Sequence, residues 1–228
     1  GIQADTPFAH WRRETETLFE GHCILRPGLV LGETSYGGSS LLRALAAMPL
    51  RLPVVGDGQQ RFNPIHAADL ADVVAECLDK SAPGTWEIGG PEVLSQTELV
   101  AGYRAWLGQS PVPPQHIPPP TARLLGRLGD ALRLGPISAT SVAQLQAGVL
   151  ADPEPLLARL TTHPRSVSAF LTARPAGTQD LWQARLYLLK PLIRLTLATL
   201  WLASGLLGLA TPAASFAPGL PLPEPLAI

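Results

Sequence analysis

The stretch PFAHWRRETE, residues 7–16, sets an aromatic residue, a base and an acid four apart: Phe8, Arg12 and Glu16. On a helix this spacing aligns the three on one face. The frame is that of a catalytic helix, yet Phe8 has no hydroxyl and Arg12 hardly ever gives up its proton. Three readings stand: a working catalytic helix, one whose chemistry is lost, or an amphipathic surface helix with an Arg12–Glu16 pair. His10 is either a stand-in proton donor or an exposed helical histidine. Further on, RFNPIHAADLADVV (61–74) carries Arg61, His66 and Asp69. Arg61 follows a Gly-rich turn, where it faces a ligand or is a solvated strand residue. His66 and Asp69 fall at a strand–helix junction, as a cap or packing residue and as a first-turn charge facing the helix dipole. In RPGLVLG (26–32), Gly28 has no Cβ and lets a ligand approach the backbone closely, unless this is a plain strand-end turn.

These residues need elements to hold them. TPFAHWRRETETLFE reads as a helix over 6–20, with Thr6 as cap and Pro7 in the first turn. CILRPGLVLG reads as a buried strand and SSLLRALAAM (39–48) as a short helix. LPVVGDGQQRFNPIH (52–66) reads as strand, Gly-Asp-Gly turn, strand. A helix follows over 67–80, then a loop and strand over 82–90. SQTELVAGYRAWLG (95–108) carries a Ser95/Glu98 capping box and a closing Gly108. The alternation predicts an α/β unit with a mostly parallel sheet. After residue 109 the character changes. SPVPPQHIPPP should be extended, a boundary or a rigid connection, and 121–189 reads as helical without an internal repeat.

Charged residues are only 15% of the 228, against roughly a quarter in globular domains, a first sign of a membrane segment. A net charge of −1 gives no electrostatic footprint for nucleic acid. Cys23 and Cys77 sit in apolar surroundings, as buried free thiols or a disulfide, and no Cys/His cluster has metal-ligand spacing. LIRLTLATLWLASGLLGLA (192–210) is apolar apart from Arg194. As a helix its nineteen residues span about 28 Å, close to a hydrocarbon core, which predicts a transmembrane helix rather than a buried globular one. Arg185, Lys190 and Arg194 precede the apolar run and no positive charge follows it. That bias predicts an inner or cytoplasmic membrane protein with its N-terminal domain in the cytoplasm.

Three ordered segments carry a resemblance: ILRPGLVLG (24–32), FNPIHAADLADVV (62–74) and WEIGGPEVLSQTELV (86–100). Over about residues 5–108 the chain resembles the C-terminal half of extended or atypical short-chain dehydrogenase/reductases, the NAD(P)-dependent epimerase/dehydratase-like group. HPRSVSAFLTARP and the apolar run after it resemble members that carry a DoxX-like membrane module, of which only the start is present. The resemblance implies a Rossmann-like doubly wound sheet over 1–108, a helical substrate-side or linker region over 109–189, and a membrane region over 190–228 with its transmembrane helix at about 192–210. It implies NAD or NADP as cofactor of the parent protein. Its opening helix carries Y-x-x-x-K, with the tyrosine as general acid/base and the lysine lowering its pKa and bonding the ribose. Phe8 stands at the tyrosine position and Arg12 at the lysine position, so the implied proton transfer is lost and Arg12 at most holds a ribose or phosphate. Pro27, Gly28 and Val30 are the implied wall at the nicotinamide end. Arg61 and His66 are the implied substrate-facing residues.

The Gly-rich pyrophosphate turn of such a fold is absent from this sequence. Residue 1 is Gly and the only methionine is Met48, so a fragment or processed product is expected. Residues 1–20 show no apolar signal-peptide run. A missing N-terminal half would be needed to complete the sheet, and the chain alone is expected to bind NAD(P) poorly. The sequence therefore supports a membrane-tethered oxidoreductase or epimerase-like parent. The alternatives are a non-catalytic dinucleotide-binding or structural subunit, and a truncated non-functional product. The substrate stays unidentified.

Overall fold

The structure is a computed structural model that describes residues 7–35, 37–132 and 137–211, with Pro7 and Phe8 described in backbone only. The Thr6 cap lies outside the described residues. Pro7 opens helix α1 (Pro7–Thr17). The apolar run that follows is split at its Pro-Gly step into β1 (Cys23–Pro27) and β2 (Val30–Leu31). Pro27 has no N–H for the ladder, and Gly28 N–H instead donates to the Ile88 carbonyl at 2.9 Å. Helix α2 (Gly38–Ala46) leads to β3 (Leu52–Val55), which is buried along its whole length.

Gly56 and Gly58 take φ of +62° and +71°, as the turn chemistry requires. The turn does not close a hairpin. It hands the chain to β4 (Arg61–Phe62) and β5 (Ile65–His66), and neither pairs with β3. Helix α3 (Ala67–Asp79), β6 (Gly84–Ile88), β7 (Leu94–Ser95) and α4 (Gln96–Trp106) complete the alternation. The Ser95/Glu98 capping box forms with both of its bonds. β1 pairs in parallel with β6, with Cys23 opposite Gly84 and Pro27 opposite Ile88. β2 pairs in parallel with β5. β4 pairs antiparallel with β7. The proline-rich stretch is extended and forms a sheet strand, β8 (Pro114–Ile117), parallel to β3. These are the parallel pairings of a Rossmann-like α/β fold.

The helices beyond it are α5 (Pro119–Ala131), α6 (Ala139–Ala147), α7 (Glu154–Leu157), α8 (Val167–Ala173) and α9 (Thr178–Ala210). They supply core as well as surface. Phe170 packs with Leu31, Phe62, Leu99 and Tyr103, and Leu156 packs with Ile65, Val73 and Ile88. Packing thus runs across the change of composition at residue 109, and one compact unit extends to Tyr187. Within it, Arg43 and Asp180 form a buried ion pair at 3.3 Å. Arg43 also donates to the Gly32 and Glu33 carbonyls at 2.8 and 2.9 Å and lies 4.8 Å from the centre of the Trp106 ring. The second unit begins at Leu188. Among the described residues α9 is the one helix long and apolar enough to cross a membrane, and none of its most apolar window is buried.

Both cysteines are free. Cys77 is buried, and loss of solvation, with Cys23 adding to it, pushes its thiol up to about 11. Cys23, expected to be buried, is exposed at the first residue of β1, where the strand has not yet entered the core.

Candidate functional site

The parallel pair β1–β6 ends at Pro27 and Ile88. In open α/β sheets such carboxyl ends form ligand crevices. Here they open onto a cleft of about 500 Å³ lined by Arg26, Pro27, Gly28, Arg61, Glu87 and the segment Ala147–Ala151. The cleft falls in the usual size range for small-molecule sites. Pro27, Gly28 and Arg61, singled out on separate stretches of the sequence, therefore meet in one place.

Asn63 holds the far wall. Its side chain donates to the Ala151 carbonyl at 2.8 Å and accepts from the Ala151 N–H at 3.0 Å. Asn63 is only 3% exposed, so these bonds satisfy an amide that would otherwise be costly to bury. One step along, Val149 N–H donates to the Arg61 carbonyl at 3.0 Å. Gly148, at φ +71°, brings the chain against Arg61: an added Cβ would meet the Arg61 carbonyl oxygen at 2.8 Å. On the other side of this contact Phe62 lines an apolar cavity of about 260 Å³ with Leu42, Leu45 and Leu145. Successive residues of β4 thus face a polar cleft and an apolar one.

The charges are unequal. Arg26 Nε donates to both oxygens of Glu16, at 3.0 and 3.2 Å. This hydrogen bonding raises the Arg26 pKa above its ordinary value. Glu87 accepts from the Asp152 N–H at 3.0 Å. Arg61 is exposed at the rim. Glu16 pairs with Arg26, a partner that helical spacing does not offer, because α1 returns over β1 and presents Glu16 to the strand.

The other singled-out residues lie elsewhere. Arg12 is exposed on α1 and Val30 is 36% exposed on β2; neither lines the cleft. His66 is buried as the N-cap of α3, where Nδ1 accepts from the Ala68 N–H at 3.2 Å. It also lies 3.1 Å from Arg165 and tilts against the Phe170 ring at 5.1 Å. Asp69 does more than face the helix dipole. It accepts from the Arg165 backbone N–H at 2.8 Å and from Arg165 Nε at 2.9 Å. Burial alone would raise its pKa, but the Arg165 bonds outweigh that and hold it below the ordinary 3.8. A depressed carboxyl pKa contributes stability that is complete above the unfolded value and is lost as pH falls through the folded value. Arg165→Gln is therefore expected to move the acid-unfolding midpoint, followed by circular dichroism, to higher pH. Coincident midpoints for variant and wild type would refute this account.

Sequence reasoning missed Arg26, Asn63, Glu87 and Ala147–Ala151. A signal existed for Asn63 alone, a polar residue between the strand residue Phe62 and Pro64. Among the described residues no group of three or more acidic, His or Cys side chains is placed to hold a metal ion.

No protein-family model matches the sequence, and no curated protein matches it. Solved structures do. A human epimerase family protein solved with NADPH superposes with a TM-score of 0.50 at 19% identity, covering 81% of this chain and 59% of that one. Helicobacter pylori ADP-L-glycero-D-manno-heptose-6-epimerase gives 0.48 at 17% identity, covering 73% and 48%. Bacillus cereus UDP-glucuronic acid 4-epimerase, solved with UDP-glucuronic acid and NAD, gives 0.47 at 18%, covering 75% and 48%. At these identities the likeness is one of fold. The chain covers less than two thirds of each of these structures.

Proposed function

We propose that this chain is the substrate-side half of a membrane-tethered, NAD(P)-binding protein of the short-chain dehydrogenase/reductase type, in which binding outlasts turnover. One observation carries the reading: the cleft at the ends of β1 and β6 gathers Pro27, Gly28 and Arg61. The residues present fit one end of a dinucleotide. A Cβ on Gly28 would meet Asn63 and Ile88 at ordinary contact distances of 3.5–3.7 Å, so packing does not demand glycine there. Close approach of a ligand to the backbone gives that glycine a reason. A nicotinamide cofactor supplies hydride transfer when bound. Pro27 and Gly28 would line its nicotinamide end, and Arg61, whose charge is not committed to Glu16, would hold an anionic group of cofactor or substrate. Phe8 has no proton to exchange at the position where the family resemblance puts a tyrosine, and that favours a binder over an enzyme.

Membrane attachment through α9, its beginning as a DoxX-like module and a cytoplasmic face for the preceding unit belong to the same proposal. The support is the length and apolar character of α9 together with the basic residues Arg185, Lys190 and Arg194. Resistance of the protein to carbonate extraction checks the anchor.

Titration of the full-length protein with NAD(H) and NADP(H), read by fluorescence, tests the site. Binding is expected to weaken about tenfold or more in Arg61→Ala if a charged contact is lost. Unchanged affinity in Arg61→Ala removes Arg61 from the site. Turnover by the wild-type protein that Phe8→Tyr does not improve removes the argument from Phe8.

A further inference from the structure

Helix α5 has one face made of small residues and another made of leucines. The small face is fastened. A Cβ added to Gly129 would meet the Ile137 carbonyl oxygen at 1.8 Å, and one on Gly126 would meet the Ser138 carbonyl oxygen at 2.9 Å. Ala122, Gly126 and Gly129 are accordingly buried, and the backbones of α5 and the start of α6 lie nearly in contact. Asp130 belongs to this attachment, because its carboxylate accepts the Ala139 N–H at 3.0 Å. With the small face taken, the rest of the helix must face outward. Leu124, Leu125, Leu128 and Leu132 are 58%, 48%, 49% and 67% exposed. At about 100° per residue these four fall within an arc of roughly 100°, a continuous apolar stripe. Arg123 and Arg127 are exposed along one edge of it.

We propose that this leucine face of α5 lies in a membrane surface, with Arg123 and Arg127 against anionic lipid headgroups. The proposal rests on the membrane reading of α9 given above. An apolar stripe edged by cations is the pattern of helices that lie in the interfacial plane, their apolar face about 5–10 Å into the headgroup–acyl boundary. The helix's acid is engaged in the α6 attachment, so the charge left outward is positive and complements an anionic leaflet. A spanning helix in the same chain keeps the local lipid concentration high, so a short stripe suffices where a free helix of this length would not bind stably.

The test uses the full chain in lipid nanodiscs, with the fluorophore NBD attached at Leu128→Cys in a Cys23→Ser background. Cys77 stays buried and unlabelled. A control label goes at the exposed Asp72→Cys on α3. Quenching by lipids carrying a nitroxide on the upper acyl chain is expected to be on the order of threefold stronger at 128 than at 72. Arg123→Glu/Arg127→Glu is expected to lower the difference in discs containing phosphatidylglycerol and to leave it unchanged in phosphatidylcholine discs. Protein that incorporates but shows equal quenching at the two sites overturns this proposal alone. A blue-shifted label at 128 without lipid quenching, accompanied by energy transfer between labelled copies, overturns it in favour of a second copy on this face. Protein that fails to incorporate into discs overturns the membrane reading and this proposal together.

Discussion

Asp180→Ala is expected to destabilise the first unit by about 3–5 kcal/mol, the usual cost of removing one member of a buried ion pair. The side chains of Arg43 and Asp180 are only 3% and 5% exposed, so the guanidinium would lose its counter-charge where water cannot replace it. Two further bonds go with it, since Asp180 also accepts from the Gly177 N–H at 2.9 Å and from Arg174 at 3.3 Å. Asp180→Asn keeps an acceptor for those donors and removes only the charge, so its loss should be smaller. Arg43→Met also breaks the pair: it leaves the Asp180 carboxylate with Arg174 as its remaining cation and takes the donor from the Gly32 and Glu33 carbonyls, so its cost should fall in the same range as that of Asp180→Ala. Urea unfolding of the three variants ranks them. Asp180→Ala falling within error of wild type would mean that the pair is not a buried lock.

Gly129→Ala is the second large effect. A methyl group there would stand 1.8 Å from the Ile137 carbonyl oxygen, a backbone atom with no rotamer to turn away. Alanine favours a helix interior by roughly 0.8–1 kcal/mol over glycine. The clash outweighs this gain, since overpacking typically costs about 1–3 kcal/mol and more where backbone must move. Gly102→Ala on α4 is the internal comparison. The nearest atom to its added Cβ is Leu171 Cδ1 at 3.9 Å, so the propensity gain stands nearly alone and stabilisation by about 0.5–1 kcal/mol is expected. Opposite signs for the two substitutions in thermal unfolding separate close helix packing from helix propensity. Two stabilising results would show that α5 and α6 do not approach this closely, and would leave the leucine face of α5 without its cause.

The Glu16–Arg26 pair shows why part of the cleft could not be read in advance. Helical spacing offers Glu16 a neighbour at Arg12, and nothing in the sequence says that α1 folds back over β1. Arg26 was visible only as the residue before a Pro-Gly step, and its commitment to Glu16 leaves Arg61 as the outward charge at the rim. Asn63 and Ala151 are 88 residues apart in sequence, and their two bonds exist only once β4 and the Ala147–Ala151 segment are side by side. His66 was legible as a cap because capping is local. Its contacts with Arg165 and Phe170 were not, because those partners are about a hundred residues away.

What the sequence determined by itself are features whose causes lie within a few residues. The Ser95/Glu98 box starts α4, Gly56 and Gly58 place a turn after β3, and the apolar run of α9 makes a helix long enough for a bilayer, whereas the run CILRPGLVLG, read as one strand, is two in the structure, β1 and β2. The strand–helix alternation, read over a longer window, also settled the α/β class. Tertiary structure alone decided which strands pair, that the proline-rich stretch enters a sheet as β8, that Asp69 and Asp180 meet arginines 96 and 137 residues away, and that the leucines of α5 face outward. The physical reason is range. Backbone propensity, capping and periodicity act over one or two helical turns, whereas burial and charge pairing are settled by chain segments that approach only when the whole core has formed.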